Sequence, residues 1–228
     1  MAQVTRAQLI SDTREYMDAV GSTRWSDSFI RTVLNSVYDA EWSNILNAAP
    51  YYRFATRQVA TDANGQVALS ALDSGGGDNQ QLLYRVLNVS DGNIVYTETR
   101  YQDVPLATIS NYQPVYDKLY YMTGTFLQAL PTTPGVTLYI GVNYKPTALI
   151  DLASDTSLID YPLNSHIVLV YQGAYQLLLK GGAEGAAAGN LKRLADEERE
   201  TLLDDLRRQT INPTRMAYSD NRFEWAGG

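Results

Sequence analysis

The sequence predicts an α+β protein: a helical domain formed by N-terminal and C-terminal helices, with an inserted antiparallel β domain and an extended C-terminal tail. Three observations carry that expectation. Near both ends, apolar residues recur at intervals of three and four, the period of a helix with one buried face. In the middle they gather into short runs punctuated by Gly, Asn, Asp and Pro, as hairpins require. Beyond residue 209 comes a segment too short to build a core and too aromatic for a solvated tether. The expected division is therefore 1–50 with 160–209 as the helical domain, 51–159 as the β-rich insert, and 210–228 as a partner-binding tail.

Each element has a local reason. Residues 5–20 place Leu9, Ile10, Tyr16, Met17 and Val20 near one helix face, and Thr5 with Gln8 has capping-box spacing. Gly21-Ser22 ends that run. Ser26 or Asp27 caps a second helix, where Phe29, Ile30, Val33, Leu34, Val37, Tyr38, Trp42, Ile45 and Leu46 keep the period. Strands are expected at 53–61 and 66–72 about Asp62-Ala63-Asn64-Gly65, because Asn-Gly favours a tight turn. A second pair, 82–89 and 94–99, flanks Ser90 to Asn93, and a third, 119–130 and 136–144, flanks Pro131 to Gly135. Residues 162–180 are apolar nearly all round and predict the most buried helix, stopped by Gly181-Gly182. A charged helix over 190–209 follows.

Composition removes several function classes. A chain of 228 residues buries one sizeable core, or one core plus an insert. No cysteine is present, which excludes disulfides, thiol chemistry and thiolate metal sites. The net charge of −7 argues against gripping nucleic acid, since that affinity comes from Lys and Arg neutralising phosphates. An acidic surface can instead repel a passing nucleic acid and let it slide. No apolar run reaches membrane-spanning length, and the first residues lack a signal peptide's apolar stretch. The expectation is a soluble protein used without export or membrane contact.

Residues with catalytic potential are few. His166 is the only histidine and stands near the start of the buried helix, where a structural histidine satisfied by nearby backbone is expected. Asp62 to Gly65 lacks the alternating ligands of a calcium loop and reads as a turn. Gly75-Gly76-Gly77 lacks a following Lys-Ser/Thr and reads as no phosphate cradle. Asp196, Glu197, Glu200, Asp204 and Asp205 lie among Arg193, Arg199, Arg207 and Arg208, the pattern of a salt-bridged helix face. That face is expected to line a channel or meet a neighbouring subunit. No catalytic residue, cofactor or metal is expected, and a carboxylate-based glycan hydrolase is the enzyme alternative. In the tail, Tyr218, Phe223 and Trp225 alternate with Arg215 and Arg222, residue types enriched where one protein grips another.

A resemblance rests on block order and short patterns. Trp25-Ser26-Asp27 opens an amphipathic helix from Phe29 to Trp42. A strand from Leu138 to Tyr144 precedes Lys145-Pro146, and a loop follows with Tyr161-Pro162. Then come the apolar helix, Leu179-Lys180-Gly181-Gly182, and a charged helix from Leu191. In that order, over most of residues 5–209, the chain resembles the head-to-tail adaptor (connector) proteins of tailed bacteriophages, particularly the short-tailed ones. The resemblance implies a virion structural protein at the head-tail interface, assembled in the host cytoplasm. Its partners would be the portal protein, the tail nozzle or tube proteins, and its own copies in a dodecameric ring around a DNA channel. The C-terminal segment would grip the portal. The alternative is a tail-hub or baseplate component that does not bind a portal.

Overall fold

A computed structural model of the chain describes residues 4–17, 24–73, 81–100, 118–152, 154–162, 165–182 and 185–223. Its architecture corrects the expected one. Among the described residues it is mixed α/β, with four α-helices and a seven-stranded, nearly closed, barrel-like sheet that forms a large share of the molecule. It is not a helical domain carrying a small antiparallel insert, and the expected extended tail is helical as far as Phe223. The chain divides into two compact units, Met1–Tyr52 with Pro146–Gly228, and Arg53–Lys145.

In the helical unit, α1 (Arg6–Tyr16) begins where Thr5 Oγ1 accepts the Gln8 N–H at 3.2 Å. It buries Leu9, Ile10 and Thr13. Arg6, although charged, is buried too, because its donors are occupied. Its Nη1 donates to the carbonyls of Leu149 and Leu152 at 2.8 and 3.0 Å, and Nε to Asp155 Oδ1 at 2.7 Å. A bridge between Thr5 and Leu158 reinforces this attachment of the N-terminal segment to the loop before α3.

Helix α2 (Asp27–Ala48) is capped by Ser26 Oγ on the Phe29 N–H at 3.2 Å. It follows the periodicity read from the sequence, with Ile30, Val33, Leu34, Val37, Ile45 and Leu46 all buried. Each such side chain contributes roughly 1.5–3 kcal/mol of burial. Trp42 is wholly enclosed, with the rings of Tyr38, Tyr52 and Tyr161 around it at 6.1 to 6.3 Å.

Helix α3 (Ile167–Lys180) starts later than the expected 162, then packs against α1, α2 and α4 as the central apolar helix. At Gly173 an added Cβ would meet Leu34 Cδ2 at 2.6 Å, so the glycine is what lets α2 and α3 approach so closely. The helix ends at Gly181, and Gly182 supplies the left-handed turn at φ 74°.

Helix α4 (Ala186–Phe223) runs for 38 residues, well past the expected end at 209. The tail's aromatics and Pro213 suggest extended chain. Pro213 lacks a backbone donor and so leaves one hydrogen bond of the helix unmade, yet the helix continues past it, and no glycine or β-branched residue interrupts Arg215 to Phe223.

In the second unit the strands are β1 (Phe54–Ala60), β2 (Gln66–Ala68), β3 (Gln81–Ser90), β4 (Val95–Glu98), β5 (Leu119–Met122), β6 (Phe126–Leu130) and β7 (Thr137–Pro146). Their order is β1-β7-β3-β4-β5-β6-β2. The pairs β1–β7, β2–β6, β3–β4 and β5–β6 are antiparallel, whereas β4 and β5 run parallel with Thr97 opposite Leu119. The Asp62 turn forms as expected: its Oδ1 accepts the Asn64 and Gln66 N–H groups at 2.8 Å, with Gly65 at φ 71°. The strands it joins, however, stand at opposite ends of the order, β1 on β7 and β2 on β6. The turn therefore connects the two margins of a sheet that nearly closes.

Two further expectations are corrected. The run 119–130 is not one strand but the hairpin β5–β6, with Tyr121 opposite Gln128. Its turn at Gly124-Thr125 is held by Thr123, whose N–H donates to the Phe126 carbonyl at 2.9 Å. Nor does 119–130 pair with 136–144, because β6 lies beside β5 and β2 while β7 lies beside β1 and β3. Inside this unit Leu72, Val89, Leu127, Leu138, Ile140 and Val142 form the core.

Candidate functional site

Helix α4 carries most of the residues singled out from the sequence. Its apolar stripe, Leu191, Ala195, Leu202 and Leu206, is buried, and α3 is the element it packs on most extensively. With 3.6 residues per turn, Asp196, Glu197, Glu200 and Asp204 fall on one flank beside that stripe. Asp205 lies farthest round, about 180° from Asp196, whereas Glu200, Asp204 and Glu197 lie within about 100° of Asp196. Four of the five predicted acidic positions therefore share a face, and the fifth stands apart.

These carboxylates are not equivalent. Asp196 is half-buried and accepts from Arg199 Nη1 at 2.6 Å. Glu197 pairs with Arg193 at 2.6 Å and Asp204 with Arg207 at 2.9 Å, both exposed and each contributing little alone. Glu200 and Asp205 are exposed. Leu203 is half-buried and lies among Asp196, Arg199, Glu200, Asp204 and Arg207, which line a trough of about 510 Å3.

Behind the trough stands an ion pair that the sequence pattern did not expose. Arg199 Nε donates to Glu41 Oε1 and Oε2 at 3.0 and 2.9 Å, and Nη2 to Oε1 at 2.6 Å. The bond to Glu41 holds the guanidinium above its ordinary pKa. Burial, then the neighbouring Glu41 charge, pushes the Tyr161 hydroxyl well above the ordinary tyrosine range. That hydroxyl is buried without a hydrogen-bond partner among the described residues.

A second surface also escaped the sequence reading. Trp25 and Phe29 stack at 5.1 Å with planes 12° apart. Arg24 lies over the Trp25 ring at 5.2 Å and Lys180 over Phe29 at 5.3 Å, forming a cation-capped aromatic corner. Arg24 Nη2 also donates to the Gly181 carbonyl at 2.7 Å, joining the start of α2 to the end of α3. Helical spacing could not have found this corner, because Trp25 precedes the cap residue Ser26 and lies outside α2.

The remaining sites are placed as follows. Arg215, Tyr218, Arg222 and Phe223 belong to α4, and Trp225 lies outside the described residues. Gly75 to Gly77 also lie outside them. His166 forms the N-terminal cap of α3 through its backbone carbonyl, which accepts from Leu169 and Val170. Its Nδ1 is buried without a partner among the described residues, so the expected satisfaction by backbone is absent at that atom. No cluster of three or more His, Cys, Asp or Glu suited to a metal ion occurs among the described residues.

Compared with known proteins, the chain matches no family model and no curated protein.

Proposed function

We propose that this chain is a head-to-tail adaptor of a short-tailed bacteriophage, binding the portal as a dodecameric ring that extends the DNA channel and offers a face to tail proteins. The observation that carries the reading is the mismatch between α4 and the helix it packs on. Helix α3 has 14 residues and α4 has 38, lengths of about 21 and 57 Å at 1.5 Å per residue. Helix α4 therefore runs on beyond what α3 can cover, and its residues 210–223 are read as a helical arm. The order of blocks from Trp25 to Leu191 supports the same reading.

In this reading the arm grips the portal as a helix rather than as an extended tail. Positions 215, 218 and 222 stand at the i, i+3, i+7 spacing of one helical stripe, so Arg215, Tyr218 and Arg222 act together. Phe223 and Trp225 complete the anchor. A ring multiplies a modest contact by its copy number, so each arm need bind only weakly. DNA passes through without sequence-specific contact.

The test is electron microscopy of the chain mixed with the portal from the same phage, using full-length protein and a version ending at Gln209. A ring on the portal with the full-length chain alone supports both the adaptor reading and the arm. Rings with both versions keep the adaptor and discard the arm. No complex with either overturns the reading in favour of a tail-hub or baseplate component.

A further inference from the structure

We infer that Asn64 is a site of spontaneous amide-to-carboxyl conversion, a reaction with water that the turn from Asp62 to Gly65 holds off for as long as it stays closed. The inference goes beyond the adaptor reading and rests on the second unit alone.

The pair Asn-Gly occurs once in the chain, at 64–65. In such a pair the following backbone nitrogen can attack the side-chain amide. Gly65 N loses its proton to a base in solvent, bonds to Asn64 Cγ and expels the side-chain nitrogen as ammonia. Water then opens the cyclic imide at either carbonyl, leaving aspartate or its isomer with the main chain routed through Cβ. No electrons are exchanged, and water and a solvent base are the only co-reactants. Glycine obstructs the ring least, because it has no side chain. Here it is also required: Gly65 stands at φ 71°, and an added Cβ would meet Thr132 Cγ2 at 3.0 Å. The turn geometry therefore keeps the reactive pair in the sequence.

In the folded turn the electrophile is open and the nucleophile is held. Asn64 is exposed, and its side chain makes no hydrogen bond among the described residues. Gly65 is buried, and its N–H donates to the Asp62 carbonyl at 3.1 Å. Gln128, itself buried, donates from Nε2 to the carbonyls of Asn64 and Gly65 at 3.0 and 3.2 Å. Asp62 Oδ1 fixes the N–H groups of Asn64 and Gln66. Swinging Gly65 N onto Asn64 Cγ forfeits its own hydrogen bond and disturbs those on both carbonyls. Reaction therefore waits on local opening, and its rate is the open-chain rate multiplied by the fraction of time the turn is open. The one Asp-Gly pair, at 91–92, is built the other way. Asp91 Oδ1 accepts from Asn93 and Ile94 at 3.0 and 2.9 Å and Oδ2 from Lys118, so there the electrophile itself is held. Conversion of Asn64 would add a carboxylate beside Asp62, in the turn that joins the two margins of the sheet.

The test incubates the full-length chain in mildly alkaline buffer, with and without urea, and follows its tryptic peptide Gln58–Arg85 by mass spectrometry. Fragmentation assigns the change to Asn64. In urea Asn64 should convert readily. In the folded chain it should convert at least about tenfold more slowly, by the same factor that protects the Gly65 N–H from hydrogen exchange. Asp62→Ala removes the acceptor of two turn N–H groups. It should speed the folded reaction about three- to tenfold and lower the protection in step, with the rate in urea unchanged. Equal rates with and without urea overturn the inference, as does an absence of conversion at Asn64 in urea. So does a folded Asp62→Ala chain that converts no faster than wild type. Should that variant unfold, the wild-type comparison decides alone: retardation and protection agreeing within about threefold support the gating, and a wider gap overturns it.

Discussion

Arg199 on α4 grips Glu41 on α2 through three hydrogen bonds across 158 residues of chain, and Glu41 is all but sealed from solvent. The fork geometry satisfies both carboxylate oxygens, which is how an ion of this kind remains charged in a core. Removing one partner strands the other. Glu41→Gln should destabilise the helical unit by about 3 kcal/mol, towards the low end for a broken buried pair because Arg199 keeps some exposure. Replacing both with methionine should be neutral or stabilising by comparison. Urea denaturation of the two variants decides it. A double variant less stable than Glu41→Gln would mean that the ion pair itself stabilises the packing of α2 on α4.

Asp91 in the second unit gives a pH dependence. Burial alone would raise its pKa, but the bond from Lys118 and the N–H groups of Ile94 and Asn93 hold it down at about 2, against an ordinary 3.8. Because the folded value is the lower, the stabilisation is complete above the unfolded pKa and is lost as pH falls from about 4 to about 2. Unfolding midpoints should therefore drop through that window. In Asp91→Asn the drop should be smaller, with lower stability at neutral pH. An identical acid profile in the variant would remove Asp91 as its source.

Gly173 sets two effects against each other. Alanine is the better helix former by about 1 kcal/mol, but its Cβ would lie 2.6 Å from Leu34 Cδ2. Leu34 is 1% exposed and has little room to retreat. Overpacking costs about 1–3 kcal/mol, so Gly173→Ala should be destabilising on balance. In Leu34→Ala the order should invert, with the added methyl entering the vacated space. A thermal-melt double-mutant cycle measures this, and strictly additive effects would mean that the two residues do not contend.

Much of the helical unit was legible because its signals are local. Ser26 and the α2 periodicity act within a few residues of one another, as do Gly181 and Gly182 at the end of α3. The Asp62 turn and the β3–β4 ladder, with Val89 opposite Tyr96, were legible for the same reason. The partners of β1 and β2 were not. Turn chemistry at Asp62 to Gly65 reverses the chain without dictating which distant strand each arm will join. Thus Arg57 finds Ile140 and Val67 finds Leu127. The candidate faces divide likewise. Helical spacing groups Asp196 with Glu200 and Asp204, whereas Lys180 over Phe29 and Arg199 on Glu41 depend on tertiary packing.

The helical arm leads to a prediction independent of any partner's identity. Residues 210–223 belong to α4, so removing them should lower ellipticity at 222 nm more than removal of an unstructured tail would. Ala217→Pro should act on the same segment, because a proline deep in a helix removes a hydrogen bond and clashes with the preceding turn, at about 3 kcal/mol. Portal binding, where the arm is the grip, should fall with the ellipticity. If Ala217→Pro left the ellipticity unchanged, the arm would not be helical in solution, and the i, i+3, i+7 stripe of Arg215, Tyr218 and Arg222 would have no basis.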